Sequence, residues 1–139
     1  MISRDAQARW TGTIKEGEGT LRFDGFEGAY TYASRFEQAE GTNPEALIAA
    51  AHAGCFSMKL SGVLTNAGMT PRSIETTATA HLDTGQGKIT RIDLHTRAEV
   101  PGLDDETFQR HAEDAKVNCP ISKTLEGVDI HLDAELVGS

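Results

Sequence analysis

The stretch NPEALIAAAHAGCFSMKLSGVLTNAG, residues 43–68, decides how the rest of the chain is read. Asn43 is a good helix cap, and Pro44 suits the first helical position, where a missing N–H costs nothing. Gly68 supplies the stop. Between Asn43 and Asn66 the only formal charges are Glu45 and Lys59. A helix apolar on every side must be covered on every side. At about 100° per residue, Cys55 shares a stripe with Ile48, Ala51, Met58 and Gly62, while Phe56, Leu60, Val63 and Leu64 point elsewhere. A chain of 139 residues is expected to form one domain with a modest core. One sheet covers one side of such a helix, so a second copy of the chain is expected on the other. Ala49, Ala50, Ala51, Ala53 and Gly54 permit that close approach. The stretch therefore predicts a homodimer with this helix in its shared core.

Upstream, AQARWTGTIKEGEGTLRFDG reads as two short strands around the turn at Gly17–Gly19, and AYTYASRFEQAEG as a third extended piece followed by a loop. Downstream, SIETTATAHLD and KITRIDLHTRAEV are rich in Thr, Ile and Val, and the TGQG between them predicts a hairpin. DDETFQRHAEDAKVN reads as a helix capped near Asp104 or Asp105, with acids in its first turn. PISKTLEG is a short helix opened by Pro120 and ended by Gly127, and VDIHLDAELV alternates like a half-buried strand. The order predicts an α+β fold in which antiparallel sheet covers a helix.

Formal net charge is -8, which argues against nucleic acid or an anionic membrane as partner, because phosphate binding needs clustered Lys and Arg. The N-terminal MISRDAQARW has no apolar run of the signal-peptide kind. Glu45, His52 and Lys59 interrupt the apolar segment, so no clean membrane span is expected and the chain reads as cytoplasmic. There are two cysteines, Cys55 and Cys119, and no CxxC or Cys/His ladder, so no structural zinc site is expected. In a reducing compartment two such thiols are either inert or redox-active. Cys55 alone reads as buried packing, since free cysteine behaves like a small hydrophobe. Cys119, just before the short helix opened by Pro120, lies where free N–H groups favour a thiolate. It reads either as a cap-adjacent packing residue or as the partner that closes a disulfide with an oxidised Cys55.

Three segments carry a resemblance. RFEQAEGTNPEALIAAAHAGCFSMKLSGVL, GMTPRSIETTATAHLD and AKVNCPISKTLEG closely resemble the OsmC/Ohr family of osmotically inducible and organic hydroperoxide resistance proteins. The resemblance runs over essentially the whole chain, residues 1–139, as a single OsmC-like domain. The arginine in SRFEQAEGTNPE looks more like the OsmC branch than the Ohr branch. The resemblance implies an intertwined α+β homodimer, its antiparallel sheets wrapped around long central helices, with active sites at the subunit interface. It implies a thiol peroxidase without metal or other cofactor. Its substrates would be small peroxides, organic hydroperoxides first and hydrogen peroxide second, and an external dithiol would reduce it. Cys55 matches the peroxidatic cysteine and Cys119 the resolving cysteine. Arg35 matches the arginine that stabilises the thiolate and positions the peroxide, and Glu45 its carboxylate partner.

These roles make physical sense. A thiol with its ordinary pKa near 8.5 is mostly protonated at neutral pH, and Cys55 sits mid-helix, where no helix terminus can help it. A fixed cation is therefore expected, and a guanidinium stays charged even in an apolar pocket. Glu45 and Cys55 are ten residues apart on one helix, about 15 Å along its axis. An antiparallel partner helix would bring the other subunit's carboxylate to Cys55. The sequence thus predicts a composite site, with Cys55 from one chain and Glu45, together with Arg35, from the other. TNPE also resembles a capping box from Thr42 to Glu45, a competing use of the same carboxylate. His52 shares a side of the helix with Cys55 and reads as a satisfied buried histidine, since no third metal ligand is visible, or as a group that tunes the thiol or binds metal with it. Lys59, one turn after Cys55, reads as a solvated side chain or as added positive potential, Met58 and Phe56 as core or pocket wall, and Trp10 as strand packing. His81, His95, His111 and His131 receive no role. A competing function on the same residues is a non-catalytic thiol sensor or small-ligand binder.

Overall fold

In the computed structural model, which describes residues 1–138, the elements run β1 (Gln7–Thr11), β2 (Glu18–Phe23), β3 (Phe26–Tyr30), α1 (Tyr32–Phe36), α2 (Pro44–Asn66), β4 (Ser73–Asp83), β5 (Lys88–Glu99), α3 (Asp105–Asn118), α4 (Pro120–Thr124) and β6 (Asp129–Val137). They fall into two units, one over Met1–Leu47 and one from Ile48 onward.

The first unit is an antiparallel meander, β1-β2-β3. Trp10 and Tyr30 both stand opposite Gly19, and their rings meet over it with centroids 5.3 Å apart. A Cβ at Gly19 would lie 2.5 Å from the Tyr30 ring and 2.7 Å from Trp10, so only glycine lets the aromatics close over the strand. α1, which the sequence reading left as a loop, forms because Thr31 and Ser34 make a reciprocal capping box. Five residues give too little periodicity for that helix to stand out.

In the second unit β4 and β5 form the expected antiparallel hairpin, with Asp83 accepting from the N–H groups of Gly85 and Gln86 in its turn. β6 corrects the expectation of a purely antiparallel fold: it runs parallel to β5. The chain between them carries α3 and α4, and such a helical crossover returns the next strand in the same direction. The core is built by Phe56, Leu60 and Leu64 of α2 with Ile92, Leu94 and Ala98 of β5 and Phe108, Ala112 and Ala115 of α3. A chain of hydroxyls pins α2 to the sheet, Ser57 Oγ to Thr76 Oγ1 at 2.7 Å and Thr76 Oγ1 to Thr96 Oγ1 at 2.9 Å. On the sheet's other face His81, His95 and His131 pair with Asp93, Asp133 and Asp129, exposed pairs that contribute little.

α2 keeps its expected bounds. Asn43 Oδ1 accepts from Ala46 N at 2.7 Å, and Gly68 turns the chain out at φ +82, which favours glycine. By length and composition this 23-residue helix is apolar enough to cross a membrane, so Glu45, His52 and Lys59 do not break the run as expected. What marks it as a core helix is its packing through Phe56, Leu60 and Leu64. The opposite side is uncovered: Ala50, Ala51, Gly54, Met58 and Gly62 are all exposed, Met58 to 80%.

Candidate functional site

The four residues singled out in the sequence form two pairs, one in each unit. Arg35 sits in the last turn of α1. Ser34 Oγ donates to Thr42 O at 2.8 Å and Asn43 Nδ2 donates to Ser34 O at 3.1 Å, which folds the start of α2 back against α1. Glu45 then meets the guanidinium as a two-pronged pair, Nε to Oε1 at 3.0 Å and Nη2 to Oε2 at 2.9 Å. Asn43 is the helix cap, so the capping-box use of Glu45 gives way to the arginine pairing. The hydrogen bond to Glu45 raises the Arg35 pKa further above its ordinary value, so its charge is permanent. Trp10, Tyr30, Tyr32 and Phe36 line a pocket with Arg35, about 460 Å³ in volume.

In the second unit α4 brings Cys119 to α2. Cys119 is at once the last cap of α3 and the first cap of α4. Its sulfur is 2.8 Å from that of Cys55, both thiols being free. Cys119 is buried and Cys55 half-buried. Around the helix axis Cys55 lies on the border between the uncovered side and the side that carries His52, Phe56 and Leu60 into the core.

Burial pushes the Cys55 thiol above its ordinary value, and the neighbouring Cys119 thiol adds to this. Two groups oppose them, the backbone N–H of Ile121 and the charge of Lys59. The first corrects the expectation that no helix terminus serves Cys55. Pro120 occupies the first position of α4 and carries no N–H, so Ile121 supplies an N–H of that helix's first turn, and this N–H favours the Cys55 thiolate. The proline at 120 was the available signal; which sulfur the turn faces depends on tertiary packing. Lys59 is half-buried, and its positive charge favours the thiolate.

His52 is wholly buried, but only half satisfied. Its Nε2 lies 2.8 Å from Ser122 Oγ, while Nδ1 is buried without a partner among the described residues. Burial holds its pKa below the ordinary 6.5. Near and below that value the unfolded chain therefore binds more protons at this position than the folded one, and stability falls as pH falls. The melting temperature of the wild type is expected to drop between about pH 7 and pH 5, and that of His52→Gln to drop less. Equal drops in the two proteins would refute the assignment.

The family model described as OsmC-like protein matches residues 37–133. Peroxiredoxin OsmC of Escherichia coli (strain K12) is 45% identical over 140 aligned residues, covering 97% of each chain. Among solved structures, the OsmC like protein from Mycoplasma pneumoniae superposes with a TM-score of 0.78 at 20% identity, covering 99% of each chain. The organic hydroperoxide resistance protein OhrB of Bacillus subtilis has a TM-score of 0.63 at 25% identity, covering 96% of this chain and 98% of its own.

Proposed function

The chain belongs to the OsmC family, and from that premise we propose that it is a thiol-dependent peroxidase that reduces organic hydroperoxides. The observation that carries the reading is the 2.8 Å approach of the Cys55 and Cys119 sulfurs. The Cys55 thiolate attacks one peroxide oxygen, the O–O bond breaks, and the other oxygen leaves as an alcohol after taking a proton. The sulfur is oxidised by two electrons to a sulfenic acid. Cys119 then attacks that sulfur, water leaves, and a disulfide joins α2 to α4. An external dithiol reduces it by exchange, a cycle suited to a reducing cytoplasm. The direct test is steady-state consumption of cumene hydroperoxide with dihydrolipoamide or dithiothreitol. Many equivalents consumed per chain are expected; a stop after one equivalent would leave a sensor rather than an enzyme.

Arg35 and Glu45 are the remaining members of the proposed site. Burial works against a thiolate at Cys55, and the Ile121 N–H and Lys59 offset it only in part. A guanidinium held rigid by a two-pronged carboxylate supplies the missing cation and hydrogen bonds for the peroxide oxygens. The helix rise between Glu45 and Cys55 supports a composite site, with Arg35 and Glu45 reaching Cys55 from the other subunit. Relatives matched over 97% of the chain support reading residues 1–139 as a single OsmC-like domain.

The proposed partner is a second copy of this chain, laid on the uncovered side of α2. Gly54 and Gly62 have open space where a Cβ would stand, so nothing within the chain requires glycine there. Glycine inside a helix costs up to about 1 kcal/mol against alanine, a cost that close approach of a second backbone would explain. Light scattering is expected to give about twice the chain mass of 14.9 kDa. Met58→Glu, which puts a charge in the middle of that side, is expected to shift the protein toward monomer. A wild type that is monomeric at micromolar concentration would overturn the dimer.

A further inference from the structure

We propose that the hydrogen bond between His52 and Ser122 is a positioning device for the cysteine chemistry, holding α4 so that the Ile121 N–H and the Cys119 sulfur converge on Cys55. The proposal rests on the peroxidase reading for its purpose, and on three observations for its substance. The first is location. His52 stands three residues before Cys55 on α2, and Ser122 stands three residues after Cys119 on α4. The same two helices are therefore tied twice, by His52 Nε2 and Ser122 Oγ at 2.8 Å and by the two sulfurs at 2.8 Å. α4 is only five residues long and none of its own side chains is fully buried, so beyond its two caps, Cys119 and Leu125, the polar tie is a further hold on its place.

The second observation is the unsatisfied Nδ1. A neutral imidazole has one N–H and one lone pair, and Nε2 uses one of them on Ser122. Whichever tautomer is present, the other nitrogen is buried without a partner. Such a group costs stability, and an apolar side chain of similar volume would not carry that cost. A histidine at this position is therefore poorly explained as packing and well explained by what its other nitrogen holds.

The third is the identity of what α4 presents. Its first turn carries the Ile121 N–H that favours the Cys55 thiolate, and its cap is Cys119 itself. A small shift of α4 weakens both effects together. Neither His52 nor Ser122 is assigned contact with peroxide; they act through α4.

Three variants test this, Ser122→Ala, His52→Met and His52→Gln. Two measurements are needed: the pH midpoint of Cys55 alkylation by iodoacetamide in a Cys119→Ser background, and the rate of Cys55–Cys119 disulfide closure driven by diamide. Ser122→Ala and His52→Met are expected to raise the alkylation midpoint and to slow closure about fivefold or more, since small misplacements of reacting groups are costly. His52→Gln, whose amide nitrogen reaches the place of Nε2, is expected to close at nearly the wild-type rate. His52→Met is also expected to melt at least as high as the wild type, because it removes the unpaired nitrogen. Wild-type closure and midpoint in both Ser122→Ala and His52→Met would overturn the proposal. So would a His52→Gln as slow as His52→Met, or a His52→Met that melts far below the wild type, which would mark His52 as an ordinary core residue. Diamide needs no peroxidase activity, so a wild type that consumes no peroxide sinks the functional reading and leaves this test intact.

Discussion

Cys55→Ser is expected to reduce hydroperoxide consumption to the buffer background, a loss of about a thousandfold or more, because removing a nucleophile removes the covalent step itself. Cys119→Ser is expected to behave differently. Its first equivalent of peroxide should be consumed at nearly the wild-type rate, and a sulfenic acid should then persist at position 55, where dimedone traps it. Turnover with dihydrolipoamide should fall about tenfold or more, because an external thiol must replace one that is already in contact. Three facts favour Cys55 over Cys119 for the proposed attacking role. Cys55 is half-buried and reachable, whereas Cys119 is fully buried. The Ile121 N–H in the first turn of α4 favours the Cys55 thiolate, although Cys119 caps that helix. Lys59, one turn further along α2, favours the same thiolate. A dimedone adduct found only on Cys119 of the wild type would reverse the assignment.

The long helix was legible because each of its signals is local. Asn43, Pro44 and Gly68 act through backbone geometry that the residue type determines, and all three behave as read. The β4–β5 hairpin and the α3 cap at Asp104 were legible for the same reason. What the sequence hid was pairing at a distance. Nothing in VDIHLDAELV tells whether the strand joins its neighbour parallel or antiparallel; the α3–α4 crossover decides that. YASRF hid a helix because Thr31 and Ser34 cap each other over only five residues. At the site, Arg35 and Glu45 were found through motif resemblance, and local geometry then explains how the two meet. The Ile121 N–H was missed because a backbone donor has no residue type to recognise. The unpaired nitrogen of His52 was missed because a buried histidine is ordinarily satisfied on both sides.

Mixed dimers give the sharpest result expected of the proposed site. Arg35→Ala homodimers should lose about a hundredfold to a thousandfold in peroxide reduction, the usual effect of deleting one fixed donor at a reacting oxygen. Arg35→Lys should recover only part of this, since an ammonium cannot form the two-pronged contact that Glu45 makes with the guanidinium. Glu45→Ala should also lose activity, because it releases the arginine from its fixed orientation. Cys55→Ala homodimers are inactive. If each site takes Cys55 from one chain and the Arg35–Glu45 pair from the other, a heterodimer of Cys55→Ala with Arg35→Ala contains one doubly broken site and one intact site. Unfolding, mixing and refolding the two inactive proteins in equal amounts should then restore about a quarter of wild-type activity, since half the dimers are mixed and each has one working site of two. If each chain used its own arginine, every site in the mixture would lack either the cysteine or the guanidinium, and nothing would be restored. Glu45→Ala mixed with Cys55→Ala should give the same restoration, because Glu45 travels with Arg35 on one chain. Restoration with neither partner, in a mixture shown by mass to contain heterodimers, would refute the composite site.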